Sequence, residues 1–317
     1  MSDAAHIDAD DVDPDIRRFV DALNHGYGQF SDFASLPLPE RRAAAEAVRG
    51  PWREGGPAMH RTINLSVDVV GLRLYVPSDA AALPAMLYVH GGGWTMFSVE
   101  THDRLMREYA ARAGVIVAGI DYSLSPEAKF PHALNEVVAA IAWLRAEGEA
   151  YGIDTARIAI GGDSAGANLS VAASLKLRDQ GLPPLAAMLL NYGAFDSRPT
   201  ESYARYDGPN YMLTVEEMDR FWDNYVDDPG HLADPFAAPL RAELHDLPPA
   251  FLAIAECDIL ADGNRLIAAR FEAAGVPVEA HVYPGATHSF LEAVSISPLA
   301  DRAIEDGAQW LRARIGR

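Results

Sequence analysis

From about residue 61 onward, short apolar runs alternate with amphipathic stretches, the pattern of strands and helices wound into a mostly parallel sheet. The spacing predicts strands near 62–69, 71–76, 85–90, 114–121, 157–162, 185–191, 250–256 and 276–283. The run Ala85-Met86-Leu87-Tyr88-Val89 is apolar on both faces, as suits a central strand covered by helices. The last strand alternates instead. Val276, Val278, Ala280 and Val282 form one face, and Pro277, Glu279, His281 and Tyr283 the other, which predicts a place near the sheet edge with one face more exposed. Helical stripes run through Leu105, Met106, Tyr109 and Ala110, through Leu134, Val137, Val138 and Ile141, and through Ile304, Ala308, Leu311 and Ile315. They are expected to cover the two sheet faces.

Two segments break the alternation. Residues 1 to about 55 offer a helix start at Asp13-Pro14, a capping acid followed by proline at the first helical position, then the stripe Ile16, Phe19, Val20 and Leu23. A second helix is expected at about 39–48. Near 195–230, Thr214-Val215-Glu216-Glu217 is a capping box ahead of Met218, Phe221, Trp222 and Tyr225. Both segments are expected to build a helical cap, so that residues 1–55 form a cap segment and residues 56–317 a single catalytic domain with a cap insertion at about 195–230. At 317 residues, one domain with an appended element is the ordinary arrangement.

Charge narrows the partners. A formal charge of -19 repels phosphate backbones and anionic membranes, which argues against nucleic acid and favours neutral small molecules. Lys129 and Lys176 are the only lysines, and the abundance of arginine and carboxylates fits a GC-rich genome or salt adaptation. Cys257 is the one cysteine, so no intrachain disulfide and no paired-thiolate metal site can form. It ends an apolar run, where a small buried thiol is expected. The first residues, MSDAAHIDADDVDPDI, are acidic and polar, the reverse of a signal or transit peptide, and no apolar run is long enough to span a membrane. A cytoplasmic location is expected.

The strongest local motif is Gly162-Asp163-Ser164-Ala165-Gly166, directly after the strand Arg157-Ile158-Ala159-Ile160 and before an apolar helix around Leu169 and Ala172. Glycines are needed there because the chain turns so sharply that flanking side chains would collide, and the turn holds the serine hydroxyl out over the sheet. The rival reading, a phosphate-gripping turn, lacks both the G-x-G-x-x-G spacing and a G-K-[ST] element. Upstream, His90-Gly91-Gly92-Gly93-Trp94 follows another strand. Its successive glycines let backbone N–H groups converge on one point, where with the N–H of Ala165 they can stabilise an oxyanion. His90 itself is read as a loop brace.

A serine needs a base to take its proton and a carboxylate to hold that base. Asp258 follows the strand Phe251-Leu252-Ala253-Ile254-Ala255, and His288 follows the last strand, in the order Ser, Asp, His. Asp262 is the rival carboxylate, but it opens the next helix, where an acid serves the helix dipole. His6, His25, His60 and His281 lie in the wrong places for the base. All the elements fall at strand C-terminal ends, where open α/β sheets place their sites.

Together with Asp121-Tyr122-Ser123-Leu124-Ser125-Pro126-Glu127, Asp258-Ile259-Leu260-Ala261-Asp262 and Gly285-Ala286-Thr287-His288-Ser289-Phe290, these motifs resemble the bacterial hormone-sensitive-lipase family of esterases (family IV), GDSAG subgroup. The resemblance spans roughly residues 61 to 317. It implies an α/β-hydrolase fold with a mostly parallel eight-stranded sheet, an N-terminal helical cap, no cofactor and no metal, and hydrolysis of short- to medium-chain acyl esters. It implies Ser164, Asp258 and His288 as the triad, Gly92, Gly93 and Ala165 as the oxyanion hole, and a homodimer. Ser123 stands where the family has an arginine that helps hold its loop, Ser125 where it has alanine, and Ile259 where it has a proline, which leaves the carboxylates in position but loosens the turn.

The expected protein is thus a serine carboxylesterase acting through an acyl-enzyme. Trp94, Phe30, Phe33, Tyr211, Phe221 and Trp222 are candidates for the walls of an apolar substrate pocket. An amide or thioester hydrolase with the same triad is the first alternative, since the machinery serves any acyl transfer. A ligand-binding receptor on the same fold is the second, and the presence of His288 counts against it.

Overall fold

The computed structural model describes residues 11–30, 32–67 and 70–316. Its strands are β1 (Arg61–Val67), β2 (Val70–Val76), β3 (Leu83–Val89), β4 (Ile116–Asp121), β5 (Ile153–Asp163), β6 (Met188–Asn191), β7 (Ala250–Cys257) and β8 (Val278–Thr287). They form one eight-stranded sheet in the order β1-β2-β4-β3-β5-β6-β7-β8. β2 pairs antiparallel with both neighbours, and every pair from β4 to β8 is parallel. Each strand lies within a few residues of its expected place. Ala85 through Val89 are fully buried, as their unbroken apolarity requires.

The helices are α1 (Pro14–Tyr27), α2 (Leu38–Arg49), α3 (Asp103–Ala113), α4 (His132–Glu147), α5 (Ala165–Asp179), α6 (Glu201–Arg205), α7 (Val215–Tyr225), α8 (Ala261–Ala273) and α9 (Pro298–Ile315). α3 packs on α9 over one side of the sheet, while α4 and α5 pack together over the other, with α8 against β7 and β8. Local chemistry sets the boundaries. Asp13 accepts from the N–H groups of Asp15 (2.9 Å) and Ile16 (3.2 Å) to start α1, and Gly114 ends α3 in the left-handed region at φ 68°. That ending assigns Gly114 to the helix stop, not to the strand expected from residue 114. The capping box at Thr214 and Glu217 starts α7.

β8 sits at the sheet edge as its alternation indicates, but the covered face is the more polar one. Tyr283 is buried while Val282 is 42% exposed. The cause is α9: Asp306 accepts from the Tyr283 hydroxyl at 2.9 Å, and Phe251, which packs against Trp310 (5.8 Å), also meets His281 (5.1 Å). Aromatic burial and one satisfied hydroxyl outweigh the valine face at an edge strand.

The N-terminal helices meet the 195–230 segment directly, through hydrogen bonds from Arg17 Nη1 to Asn210 O and from Asn24 Nδ2 to Pro209 O, both 2.9 Å. The N–H of Asp13 also donates to Gly285 O at 3.0 Å, which fixes the start of α1 against the end of β8, just before His288. Cys257 is free and buried, with its thiol pushed up to about 12 by burial, so it is a packing residue. His6 lies outside the described residues. No helix among the described residues is long and apolar enough to cross a membrane.

The fold depends on one tight approach, that of α5 to β3. A Cβ on Gly166 would stand 1.9 Å from Val89 O. The substitution Gly166→Ala is expected to cost about 3 kcal/mol or to prevent folding, because main chain must move on both sides. Chemical denaturation measures it; wild-type stability in that variant would contradict the packing described.

Candidate active site

β5 runs straight into α5, and Ser164 is the single residue between them, at φ 54° and ψ -118°. This is a strained conformation for a side-chain-bearing residue, held by its surroundings. Its N–H donates to Asn191 O at 2.9 Å, and glycines at 162 and 166 let the turn lie against β3. The turn presents the hydroxyl to His288, whose Nε2 is 3.0 Å from Ser164 Oγ. On the far side of the ring, His288 Nδ1 is 2.7 Å from Asp258 Oδ2. A carboxylate at Nδ1 selects the tautomer that donates there and leaves Nε2 free to accept the serine proton. Asp258 is 1% exposed, and its other oxygen accepts from Leu260 N–H at 2.9 Å. That bond, with Ser202 Oγ donating to Ile259 O at 2.8 Å, holds the turn firm in the absence of the family's proline. Asp262 lies in the first turn of α8 and accepts from Ser202 N–H at 2.8 Å, away from His288.

The glycine loop after β3 carries Gly92 at φ 111° and Gly93 at φ 58°, both in the region that favours glycine. Gly92 O accepts from Thr95 N–H (3.0 Å) and Met96 N–H (2.9 Å), which turns the loop back on itself. Ala165 is the first residue of α5, where an N–H has no intrahelical acceptor. His90 braces the loop: its ring stacks on Tyr122 (4.4 Å, 14°), and burial followed by the neighbouring His102 pushes its pKa down to about 4.

Sequence reasoning treated Asp163 only as a spacer in the serine motif. In the structure it is a buried carboxylate that accepts from Tyr88 Oη (2.9 Å) and Gly91 N–H (3.1 Å) and lies 3.3 Å from His102 Nε2. It therefore couples the turn that carries Ser164 to the glycine loop. Nothing local in the sequence announces this, because His102 and Tyr88 come from other elements.

A cavity of about 320 Å³ opens beside Ser164, His288, Gly92 and Gly93. Of the proposed aromatic walls, Phe33 and Phe221 line it. Trp94 does not: it is fully buried and stacks on Tyr225 (4.1 Å, 7°) and against Trp222 (4.5 Å). Trp222 shares that cluster, Tyr211 packs edge-on against Tyr206 (5.3 Å), and Phe30 packs behind Phe33 (6.4 Å). Large rings bury more surface by stacking on one another than by edging a cavity. The missed lining residues include Tyr27, Phe97, Met212 and Leu213. Tyr27 was readable, since it extends the α1 stripe by one turn from Leu23. Arg49 and Glu292 also line the cavity and form a buried ion pair, with the guanidinium 4.4 Å above the Phe97 ring. Burial opposes the charge on Arg49, and Glu292 together with Tyr27 more than restores it.

The loop 121–127 is braced in its own way. Glu136 on α4 accepts from the N–H (2.7 Å) and hydroxyl (2.6 Å) of Ser123, so a buried carboxylate holds the residue that replaces the family's arginine.

A mostly parallel sheet with serine, carboxylate and histidine in a hydrogen-bonded line at its strand ends defines the alpha/beta hydrolase class. The chain belongs to the alpha/beta hydrolase fold family, whose model matches residues 86–292, and the resemblance to hormone-sensitive-lipase-like esterases holds. Among solved structures, the chain is similar to the ester hydrolase EH1AB1 from the metagenome of Lake Arreo, complexed with a bipyridine phosphonate derivative (31% identity, TM-score 0.90, covering 96% of this chain and 100% of that one). It is similar to a hyperthermophilic esterase from the archaeon Pyrobaculum calidifontis (31%, 0.88, covering 95% and 98%). It is also similar to a thermostable esterase from Pseudomonas putida (30%, 0.87, covering 96% and 98%).

The Asp163–His102 pair sets a pH dependence. Burial pushes the His102 imidazole down, and the Asp163 carboxylate, by charge and hydrogen bond, outweighs it to hold the group above its ordinary 6.5. Burial likewise pushes Asp163 up, and His102 with Tyr88 holds it below its ordinary 3.8. The stability that His102 contributes is thus complete below pH 6.5 and lost as pH rises through its raised value. That from Asp163 is lost as pH falls below 3.8. In Asp163→Asn, burial goes largely unopposed and His102 is expected to titrate below 6.5, as followed by imidazole NMR. Titration still above that value would contradict the assignment.

Proposed function

We propose that this chain is a serine carboxylesterase that hydrolyses esters of short to medium acyl chain length, with Ser164 as nucleophile, His288 as base and then acid, and Asp258 as the group that orients the imidazole. The observation that carries the reading is the unbroken hydrogen-bonded line from Asp258 through His288 to Ser164, at 2.7 and 3.0 Å, opening on the cavity. Ser164 Oγ bonds to the ester carbonyl carbon as its proton passes to His288 Nε2. The carbonyl oxygen takes the negative charge and is met by the N–H groups of Gly92, Gly93 and Ala165. Collapse breaks the bond to the alcohol, which leaves with the proton from His288. Water then repeats the sequence on the acyl-enzyme and regenerates the serine.

A cavity of about 320 Å³ is at the small end of ligand sites, which supports short to medium acyl groups. The segments 1–55, through its described residues, and about 195–230 act as the cap, with Tyr27, Phe33, Met212, Leu213 and Phe221 among its contributions to the walls. The reading extends to a cytoplasmic homodimer: Cys257 needs no oxidising compartment, and dimers are common in the family that the motifs resemble.

The purified protein is expected to turn over p-nitrophenyl acetate through octanoate faster than longer acyl esters and faster than matched amides. Ser164→Ala is expected to lower kcat/KM by at least about 10³-fold. Undiminished turnover in that variant, or no labelling of Ser164 by a fluorophosphonate, would sink the reading.

A further inference from the structure

Arg42, on α2 in the N-terminal segment, uses its whole guanidinium on two loops of the catalytic domain. Nε donates to Thr95 O at 2.8 Å, Nη2 to Ser125 O at 2.8 Å, and Nη1 and Nη2 to the two carboxylate oxygens of Glu127 at 2.9 and 2.8 Å. Thr95 stands two residues after Gly93, and its own N–H donates to Gly92 O at 3.0 Å. Ser125 N–H donates to Trp94 O at 2.8 Å. The result is a closed ring of hydrogen bonds, from Trp94 O to Ser125 N, from Ser125 O through Arg42 to Thr95 O, and back along the chain. It fixes the peptide planes that follow the glycines. Four residues further along α2, Glu46 accepts from Ser98 Oγ (2.7 Å) and Thr101 Oγ1 (2.6 Å), which holds the outgoing end of the same loop.

We infer that Arg42 is a positioning residue for the oxyanion hole: the cap helix orients the N–H groups of Gly92 and Gly93 by clasping the loop just beyond them. The inference rests on the esterase reading above. A planar fork reaching two carbonyls and a carboxylate at once is a task that a lysine cannot perform. Because the N–H groups act on the developing oxyanion, misplacing them lowers kcat and leaves ground-state binding of the ester largely intact.

The test compares wild type, Arg42→Ala, Arg42→Lys and Glu127→Gln in three measurements: p-nitrophenyl butyrate kinetics, inhibition by an alkyl trifluoromethyl ketone against the matched methyl ketone, and thermal melting. Arg42→Ala is expected to lose about tenfold to a hundredfold in kcat with KM changed less than about threefold, since a displacement near 1 Å is worth about that much. Affinity for the trifluoromethyl ketone, whose adduct mimics the oxyanion, falls in proportion, and affinity for the methyl ketone does not. Arg42→Lys recovers only part, and Glu127→Gln, which keeps both carbonyl bonds, loses less in the same direction. If Arg42→Ala does not fold, the latter two variants decide. Unchanged kcat and trifluoromethyl ketone affinity in folded variants would overturn the inference, as would equal weakening of both ketones. In either case an active wild type silenced by Ser164→Ala leaves the esterase reading standing. A wild type inert toward esters overturns that reading and this inference with it.

Discussion

Val89 O lies where neither Gly162 nor Gly166 can carry a side chain, 2.2 and 1.9 Å from the Cβ positions the two would have. The turn that carries Ser164 is therefore pressed against the last residue of β3, and the glycine loop begins one residue beyond. This backbone contact sets the spacing between Ser164 and the start of the glycine loop. Asp163 makes the contact two-sided. It ends β5 as main chain, and its carboxylate reaches across to Gly91 N–H and Tyr88. His288 and Asp258 then need only arrive from β8 and β7, whose parallel neighbours β6 and β5 fix their height above the sheet.

The chain carries a large excess of carboxylates, yet those buried around the site meet positive or hydrogen-bonding groups from other elements. Asp163 has an imidazole, a phenol and a backbone N–H. Glu292 has the Arg49 guanidinium on one of its two oxygens, and Glu136 has the hydroxyl and N–H of Ser123. Burying an anion without such partners is costly, and removing one partner leaves that cost exposed. These carboxylates therefore act as fixed points that tie helices to the loops around the serine. The surplus negative charge stays on the surface, where solvent screens it.

Features that were legible in the sequence are those whose cause is local or ordered along the chain. Strand runs such as Ala85 to Val89, the caps at Asp13 and Thr214, and the serine turn each carry their reason within a few residues. Asp258 and His288 were legible through order, because the fold brings strand ends to one edge. The side-chain roles that failed depend on what packs opposite. Trp94 and Trp222 read as pocket walls by composition, but Tyr225 offers them a better-buried stack. Which face of β8 is covered was not legible in its alternation either, because it is α9 that presents Asp306 to the Tyr283 hydroxyl. The replacement of arginine by Ser123 read as lost bracing, whereas Glu136, thirteen residues on, supplies it from α4.

α2 shows the same limit from the other side. Arg42, Glu46 and Arg49 recur at the spacing of one helix face, a charged pattern that says nothing of what it faces. That face is the one turned toward the catalytic domain, where it meets Thr95, Ser125 and Glu127, then Ser98 and Thr101, then Glu292 and Phe97. An apolar face would have docked the helix without regard to the exact placement of the loops beneath it, since dispersion and burial are not directional. A polar face is satisfied only when each donor finds its acceptor at hydrogen-bond distance, so this helix registers on the loops as well as covering them. The segment with the least family signal in the sequence is thus the one that holds the glycine loop, its neighbouring loop and the turn after His288 in a common frame.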